Sequence, residues 1–217
     1  NYLVNQAVPR AMMGMYLLAG DPTLLLNSGA GRAIEEVVLR QGSLLQPTWP
    51  APLGQRGLTM MRLLSSCMGL VNAAGGESTA ANCAYVIYFA RGLDDQGRTF
   101  LMSDGLGVGY GARPYADGID SVYYIAQENF PVEMLELGYP VRIRSYGVNK
   151  DSGGPGRWRG GAGVVREVEV LADEVTCALR IDGVAMPSWG VKGGKNGGKG
   201  RTVVNPGTPQ ERELEPF

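Results

Sequence analysis

The sequence predicts an α+β fold, with two helices in the N-terminal third and then mainly antiparallel β hairpins with glycine-rich loops. Apolar residues recur at helical spacing before about residue 80, whereas runs of β-branched and aromatic residues separated by Asp/Gly turns dominate afterwards. Glycine makes up 33 of the 217 residues, roughly twice the usual ~7%, with no collagen-like period. We therefore expect a helical or mixed segment over residues 1–80, completing an upstream domain, and a β-rich region over residues 81–217.

Two helices and one short strand are predicted before residue 81. Apolar residues recur at helical spacing from Val4 to Ala19, and with Pro9 as the first helical position the helix is Pro9–Ala19, ending at Gly20-Asp21-Pro22. Ile34–Leu39 has the composition of a short strand, and prolines at positions 47, 50 and 52 then favour an extended segment. A second helix is predicted over Leu58–Ala73, and Gly75-Gly76 ends it.

From about residue 81 the pattern is typical of strands. The predicted strands are Cys83–Ala90, Arg98–Met102, Val141–Tyr146, Val164–Val170 and Glu174–Ile181. The first two surround an Asp/Gly turn and predict a hairpin, and the last two, joined by Leu171-Ala172-Asp173, predict a second hairpin. One or two helical turns are expected at Val132–Leu137.

The charge balance and the missing histidine exclude several classes of function. The chain has 20 Lys+Arg and 21 Asp+Glu residues. This balance lacks the positive charge of a nucleic-acid binder, unless one face of the protein is locally basic. No apolar run reaches the length of a membrane span. Without histidine, the chain contains no Ser-His-Asp or Cys-His constellation and no histidine-bearing zinc site.

The cysteines favour a reducing compartment. Cys67, Cys83 and Cys177 are far apart and lack CxxC spacing, so we expect buried, reduced thiols rather than a zinc site or a disulfide framework. Reduced thiols are typical of a cytoplasmic protein, which is the location we expect. The chain begins at Asn1 without the pattern of a signal peptide, and we expect it to be a piece of a longer polypeptide.

Three segments are especially rich in glycine. Residues 105–114, GLGVGYGARP, do not fit the dinucleotide fingerprint, and we expect their backbone to lie against other backbone or a ligand. Residues 151–163, DSGGPGRWRGGAG, favour a long turn whose Trp158 covers the core, the alternatives being a subunit contact or stacking on a guanidinium. Residues 192–201, KGGKNGGKGR, lack the Walker pattern, so a solvated loop is favoured over a phosphate site.

Carboxylates are the remaining candidates for chemistry. Asp104, Asp117 and Asp120 flank Tyr110 and Arg113 in the sequence. Aspartates beside glycines commonly form turns. The same three acids could instead be catalytic, with Arg113 binding an anionic substrate bidentately and Tyr110 as a second substrate-binding group.

Several of these segments resemble the hydantoinase B/oxoprolinase family. Residues 107–118, GVGYGARPYADG, are similar to its GxGAR-P-x-x-DG segment, and residues 151–161, DSGGPGRWRGG, to its DSGG-x-G-x-x-RGG signature. Residues 42–45, GSLL, residues 131–136, PVEMLE, and residues 205–208, NPGT, also resemble it. The resemblance covers nearly the whole chain and corresponds to roughly the C-terminal part of the longer family subunit.

The resemblance implies a role in a multi-subunit enzyme. Family members open cyclic amides such as 5-oxoproline, hydantoins or lactams, or carboxylate ketones, together with a hydantoinase A-type subunit that uses ATP and Mg²⁺. Their divalent metal (Zn, Mn or Fe) is held by His and Asp in the N-terminal part of the B-type subunit, so we expect no metal or cofactor on this chain alone. The expected partners are that N-terminal part and the A-type subunit, in a hetero-oligomer with no nucleic acid and no membrane.

Two roles follow from the resemblance. In the first, the five candidate residues lie near the active site of an ATP-dependent amidohydrolase or ketone carboxylase, and the isolated chain is inactive. In the second, the chain is a non-catalytic subunit whose glycine-rich loops form assembly surfaces, anchored by Trp158 and Trp189. Residues 121–130, SVYYIAQENF, replace a His- and Asn-rich stretch common in the family, which favours a more apolar substrate or carboxylase chemistry.

Overall fold

The computed structural model describes residues 36–54, 56–79, 86–123 and 128–215, together with Tyr16, Gly20, Asp21 and Thr23. The chain divides into two compact units, Asn1–Ala81 and Asn82–Phe217. In chain order, the helices and strands of the described residues are α1 (Arg56–Ala73), β1 (Val86–Leu93), β2 (Thr99–Leu106), α2 (Val132–Gly138), β3 (Val141–Val148), β4 (Val164–Val170), β5 (Val175–Ile181), β6 (Val203–Val204) and β7 (Arg212–Glu213).

Helix α1 lies in the first unit, and its prediction is confirmed. Met61 and Val71 on its apolar face are almost fully buried. The helix ends in a Schellman motif, in which the Gly76 N–H donates to the Val71 carbonyl at 2.9 Å and the Gly75 N–H donates to the Asn72 carbonyl at 3.2 Å. Gly75 has φ +85°, a left-handed conformation that glycine adopts without strain.

The other predictions for the first unit have different outcomes. The predicted helix Pro9–Ala19 lies outside the described residues except for Tyr16, which is helical. The predicted strand Ile34–Leu39 is wrong over its described residues, 36–39, which have no regular structure. Val37 and Val38 are 46% and 80% exposed, and no strand pairs with them in the described part of the chain. Without a partner strand their β propensity alone does not produce a strand.

The first predicted hairpin is confirmed. Strands β1 and β2 pair antiparallel from Val86 opposite Leu106 to Leu93 opposite Thr99. Asp94 closes the turn, because its Oδ1 accepts the backbone N–H of Arg98 at 2.8 Å. The α2 helix and strand β4 also form where the sequence predicts them.

The second predicted hairpin is wrong. Strand β4 pairs with β3, and β5 pairs with the edge of β1 that β2 leaves open, giving a sheet of order β2-β1-β5 and a separate β3-β4 pair. The chain crosses from one sheet to the other at residues 171–174, where the Leu171 N–H donates to the Pro140 carbonyl at 2.9 Å. Pairing β5 with β1 provides hydrogen-bond partners for β1 backbone groups that would have none if β5 paired with β4 in a local hairpin.

The core of the second unit lies where β1, β2, α2 and β3 meet. Its buried residues are Ala90, Phe100, Met102, Leu135 and Val141. The rings of Phe100 and Tyr139 are tilted by 56°, with their centroids 6.3 Å apart. Glu136 of α2 also accepts the backbone N–H of Ile143 on β3 at 2.8 Å, which fixes the short helix against the strand.

Two of the three cysteines lie among the described residues. Cys177 is exposed on β5, so its predicted burial is wrong, because positions 176–180 of this strand are all exposed to solvent. Cys67 is half-buried in α1, and Cys83 lies outside the described residues. Within the described ranges, no helix combines the length and apolarity needed to cross a membrane.

Candidate functional site

The three glycine-rich segments pack together in the second unit. We call residues 107–122, 149–163 and 188–198 the glycine cluster. The Gly161 N–H donates to the Tyr110 carbonyl at 2.8 Å, and the Gly118 N–H donates to the Arg159 carbonyl at 2.7 Å. Backbone hydrogen bonds therefore join the first two segments, which lie about 40 residues apart in the chain.

The third segment docks on the second. The Gly198 N–H donates to the Ser152 carbonyl at 2.8 Å, and the Lys195 N–H donates to the Pro155 carbonyl at 2.9 Å. The backbone of the lysine-bearing loop is therefore held in place, while Lys199 remains exposed, as expected of a solvated loop.

Close backbone contact explains the glycines. A Cβ on Gly109 would lie 1.9 Å from the Gly161 carbonyl oxygen, and a Cβ on Gly161 would lie 2.1 Å from that of Ile119. A Cβ on Gly118 would lie 2.1 Å from the Tyr110 carbonyl oxygen. These distances confirm the expected backbone-to-backbone approach and leave no room for side chains at these positions.

Asp117 and Asp120 connect the first two segments through their carboxylates. Asp117 Oδ1 accepts the backbone N–H of Arg159 at 2.8 Å. Asp120 Oδ1 accepts the backbone N–H of Ala162 at 2.7 Å and an N–H of the Arg159 guanidinium at 2.9 Å. The Arg159 side chain, followed by the Ala162 amide, lowers the pKa of Asp120. Two of the three predicted catalytic carboxylates, Asp117 and Asp120, thus stabilise the cluster.

Arg113 lies in the same part of the molecule but binds within its own turn. Its Nε and Nη2 donate to the backbone carbonyl of Asp117 at 3.1 and 2.9 Å. The carbonyl of Pro114, in the same turn, accepts the indole N–H of Trp158 at 3.1 Å. Tyr110 is half-buried and joins the cluster through its backbone groups. Trp158, whose residue surface is 36% exposed, therefore packs on the 113–117 turn rather than on the hydrophobic core.

An open cleft of about 590 Å³ borders the glycine cluster. It is lined by Asp120, Lys150, Asp151, Gly153, Pro155, Gly156 and Arg159. Of the five predicted site residues, Asp120 alone lines it. Lys150, Asp151 and Arg159 are functional candidates that the sequence did not predict. The DSGG segment and the arginine of the RGG sequence that follows it could have pointed to Asp151 and Arg159. The same pattern also suits a turn.

Asp104 lies apart from this cleft, in a buried network between strands. Its side chain is 1% exposed and forms an ion pair with Arg166 of β4, whose side chain is equally buried. The Tyr88 hydroxyl donates to Asp104 Oδ2 at 2.7 Å, and the Gly105 N–H donates to Oδ1 at 2.8 Å. Burial, together with the bond to Asp104, raises the pKa of Tyr88. The structure therefore separates Asp104 from the other four predicted site residues.

Among the described residues, this chain does not present a donor set for a metal ion. The chain has no histidine. Across the described ranges, no group of three or more Cys, Asp or Glu side chains is placed to hold a metal ion. We therefore derive no step of a reaction through a metal on this chain.

Comparison with known proteins reveals relatives along most of the chain. It is 31% identical over 180 residues to a Pseudomonas sp. (strain NS671) protein provisionally named as the B-type subunit of a D-/L-hydantoinase, covering 79% of this chain and 29% of that protein. It is 28% identical to the β subunit of the caprolactamase of Pseudomonas jessenii, covering 90% and 36%, and 29% identical to the 5-oxoprolinase of Dictyostelium discoideum, covering 82% and 14%. The chain thus spans about a third or less of the length of these relatives.

A solved structure shares the fold. The nucleotide-free structure of acetone carboxylase matches with a TM-score of 0.51 and 22% sequence identity, covering 66% of this chain and 20% of that one. The sequence matches the hydantoinase B/oxoprolinase family over residues 1–216. The chain therefore belongs to the hydantoinase B/oxoprolinase family.

Proposed function

We propose that this chain is the C-terminal part of the B-type subunit of an ATP-dependent cyclic-amide hydrolase that acts with a hydantoinase A-type subunit. The family match over residues 1–216 carries the proposal. The relatives named above for hydantoin, caprolactam and 5-oxoproline chemistry support cyclic amides as the substrate class. We place this complex in the cytoplasm.

The chemistry requires activation of a stable amide. In the proposed reaction the A-type subunit uses ATP and Mg²⁺ to phosphorylate the amide oxygen, which supplies a leaving group. The divalent metal of the family belongs to the N-terminal part of the B-type subunit. The contribution of this chain is binding and orientation, because its cleft presents charged side chains on a backbone framework fixed by the glycine cluster.

The cleft rim has the rigidity that orientation requires. Asp120 binds the Arg159 guanidinium and the Ala162 amide at the same time. Two further backbone bonds, from Gly161 to Tyr110 and from Gly118 to Arg159, hold the segments behind it. A group held by several bonds loses little conformational freedom when ligand binds, which favours accurate positioning.

Reconstitution with the A-type subunit tests the proposal. We would incubate the complex with 5-oxoproline, hydantoin or caprolactam, with and without ATP, and follow ring opening by chromatography and phosphate release. Hydrolysis of at least one cyclic amide that depends on ATP supports the proposal. A complex that assembles, binds ATP and opens none of them contradicts it.

Ketone carboxylation is a second candidate. The shared fold with acetone carboxylase favours it, as does the stretch over residues 121–130, which has no histidine and one asparagine where the family resemblance implies a His- and Asn-rich segment. Incorporation of labelled bicarbonate into acetone or acetophenone, in the same reconstituted complex, distinguishes this activity from amide hydrolysis.

A purely structural role is the third candidate function. The hydrogen bonds that the Asp117 and Asp120 carboxylates form with backbone amides favour this role, since these groups already stabilise the fold. Under this alternative, Trp158→Ala dissociates the complex, and variants of the cleft residues leave turnover per assembled complex unchanged.

A further inference from the structure

Two opposite charges are left uncompensated at the edge of the cleft. Lys150 and Asp151 both line it, and both are exposed. In the part of the chain that the structure describes, neither side chain has a hydrogen-bond or ion-pair partner, and they do not pair with each other. An ammonium and a carboxylate therefore face the same space without neutralising one another.

The other charged groups of the cleft are already paired. Arg159 Nη1 lies 2.9 Å from Asp120 Oδ1, and Asp120 also accepts the Ala162 N–H. The charge that a ligand would meet is therefore that of Lys150 and Asp151. Since one is positive and one negative, the cleft complements a ligand that carries both signs.

The loop holds these two residues in a defined conformation. Asp151 has φ +58°, in the left-handed region that few residues other than glycine adopt. Ser152, next in the chain, donates its hydroxyl to the Asn149 carbonyl at 2.7 Å and accepts the Gly163 N–H at 2.9 Å. Aspartate adopts this region more readily than most residues, and the two Ser152 hydrogen bonds fix the loop that carries Asp151.

Hydrolysis of a lactam generates a ligand of this type. Water adds its hydroxyl to the carbonyl carbon and its remaining proton to the ring nitrogen as the C–N bond breaks, and the proton of the resulting acid then moves to the amine. The product is an amino acid that bears a carboxylate and an ammonium. We propose that the cleft binds this ring-opened zwitterion, with its carboxylate on Lys150 and its ammonium on Asp151. The identity of the ligand as the reaction product rests on the proposed function.

The cleft volume suits such a ligand. About 590 Å³ is within the range of small-molecule sites. Gly153, Pro155 and Gly156 form the uncharged part of its lining, against which a short methylene chain can lie. Binding is expected to be weak, because the cleft is open and solvent screens its charges.

Calorimetry with three probes tests the proposal. The probes are 6-aminohexanoate, hexanoate and hexylamine, titrated into the reconstituted complex without ATP, so that binding is separated from turnover. The zwitterion should bind more tightly than either singly charged probe. Lys150→Gln and Asp151→Asn should each weaken zwitterion binding roughly threefold to tenfold. Asparagine tolerates the left-handed conformation at position 151, so its effect reports on charge rather than on folding.

Matched controls remove the same charges elsewhere. Arg91→Gln and Asp95→Asn alter exposed residues that do not line the cleft, and both should leave the affinity unchanged. Lys150→Gln should also weaken hexanoate binding while leaving hexylamine binding unaffected. Equal zwitterion affinity in the unmodified protein and in Lys150→Gln overturns the proposal.

The two proposals fail in distinguishable ways. If the complex opens a lactam but the zwitterion does not bind through Lys150 and Asp151, the proposed function stands and the product site is wrong. If the zwitterion binds but the complex opens no cyclic amide, the proposed function is wrong and the ligand is not a product of this enzyme.

Discussion

The carboxylate of Asp104 on β2 and the guanidinium of Arg166 on β4 form an ion pair that joins the β2-β1-β5 sheet to the β3-β4 pair, with each side chain 1% exposed. The Tyr88 hydroxyl of β1 donates a hydrogen bond to the same carboxylate oxygen at 2.7 Å. The guanidinium carbon lies 4.1 Å from the centroid of the Tyr146 ring on β3. Four strands thus meet at one buried pair of charges.

Arg166→Met should strongly destabilise the protein. Methionine has a similar length but no charge, so the variant leaves the Asp104 carboxylate buried without its counter-ion, at a cost of about 3–5 kcal/mol. The free energy of unfolding from urea titration measures the loss. Arg144→Gln is the control, because the Arg144–Glu169 pair is half-exposed and such pairs contribute at most about 1 kcal/mol. Similar losses in both variants would contradict a special role for the buried pair.

Gly109→Ala should destabilise the glycine cluster. The new Cβ would lie 1.9 Å from the Gly161 carbonyl oxygen, and a backbone contact of this kind can relieve the clash only by moving a segment, at about 2 kcal/mol or more. Gly147→Ala is the matched control, since nothing lies within 4 Å of its added Cβ. The midpoint of thermal unfolding compares the two variants. Equal midpoints would show that the cluster tolerates side chains.

Asp120→Asn should reduce stability in a pH-dependent way. The Arg159 side chain, followed by the Ala162 amide, lowers the folded-state pKa of Asp120 below its ordinary value. A lowered folded-state pKa contributes stability that is fully present above the unfolded value and is lost as pH falls through the folded value. The difference in unfolding free energy between the unmodified protein and the variant should therefore be constant from pH 7 to about pH 5 and shrink below about pH 4. A difference that grows on acidification would contradict this linkage.

Arg113→Ala should lower turnover in the reconstituted complex while assembly survives. The guanidinium holds the 113–117 turn through the Asp117 carbonyl, so its loss costs about 1 kcal/mol of stability and loosens the segment that carries Asp117 and Asp120. Turnover per assembled complex, with the complex mass measured in parallel, separates the two effects. Unchanged turnover would restrict Arg113 to a structural role.

The local elements of this protein follow from the order of its amino acids alone. Hydrophobic spacing and the glycine pair at 75–76 predict α1, and an Asp/Gly turn between β-prone runs predicts the β1–β2 hairpin. Both could be predicted because each element is formed by contacts between residues close together in the chain. The motif spacing around residues 107–118 and 151–161 also points to the family, which the comparison confirms.

The choice of strand partners and the placement of the charged groups come instead from the folded arrangement. The pairing of β5 with β1, the crossing from β4, and the burial of Asp104 all depend on contacts between residues far apart in the chain, and β propensity does not specify a partner. Asp104, Asp117 and Asp120 look alike as sequence, each beside or near a glycine. In the fold, Asp104 forms an ion pair with a buried arginine, whereas Asp117 and Asp120 accept hydrogen bonds from backbone amides. The fold also places Lys150 and Asp151 in the lining of the cleft.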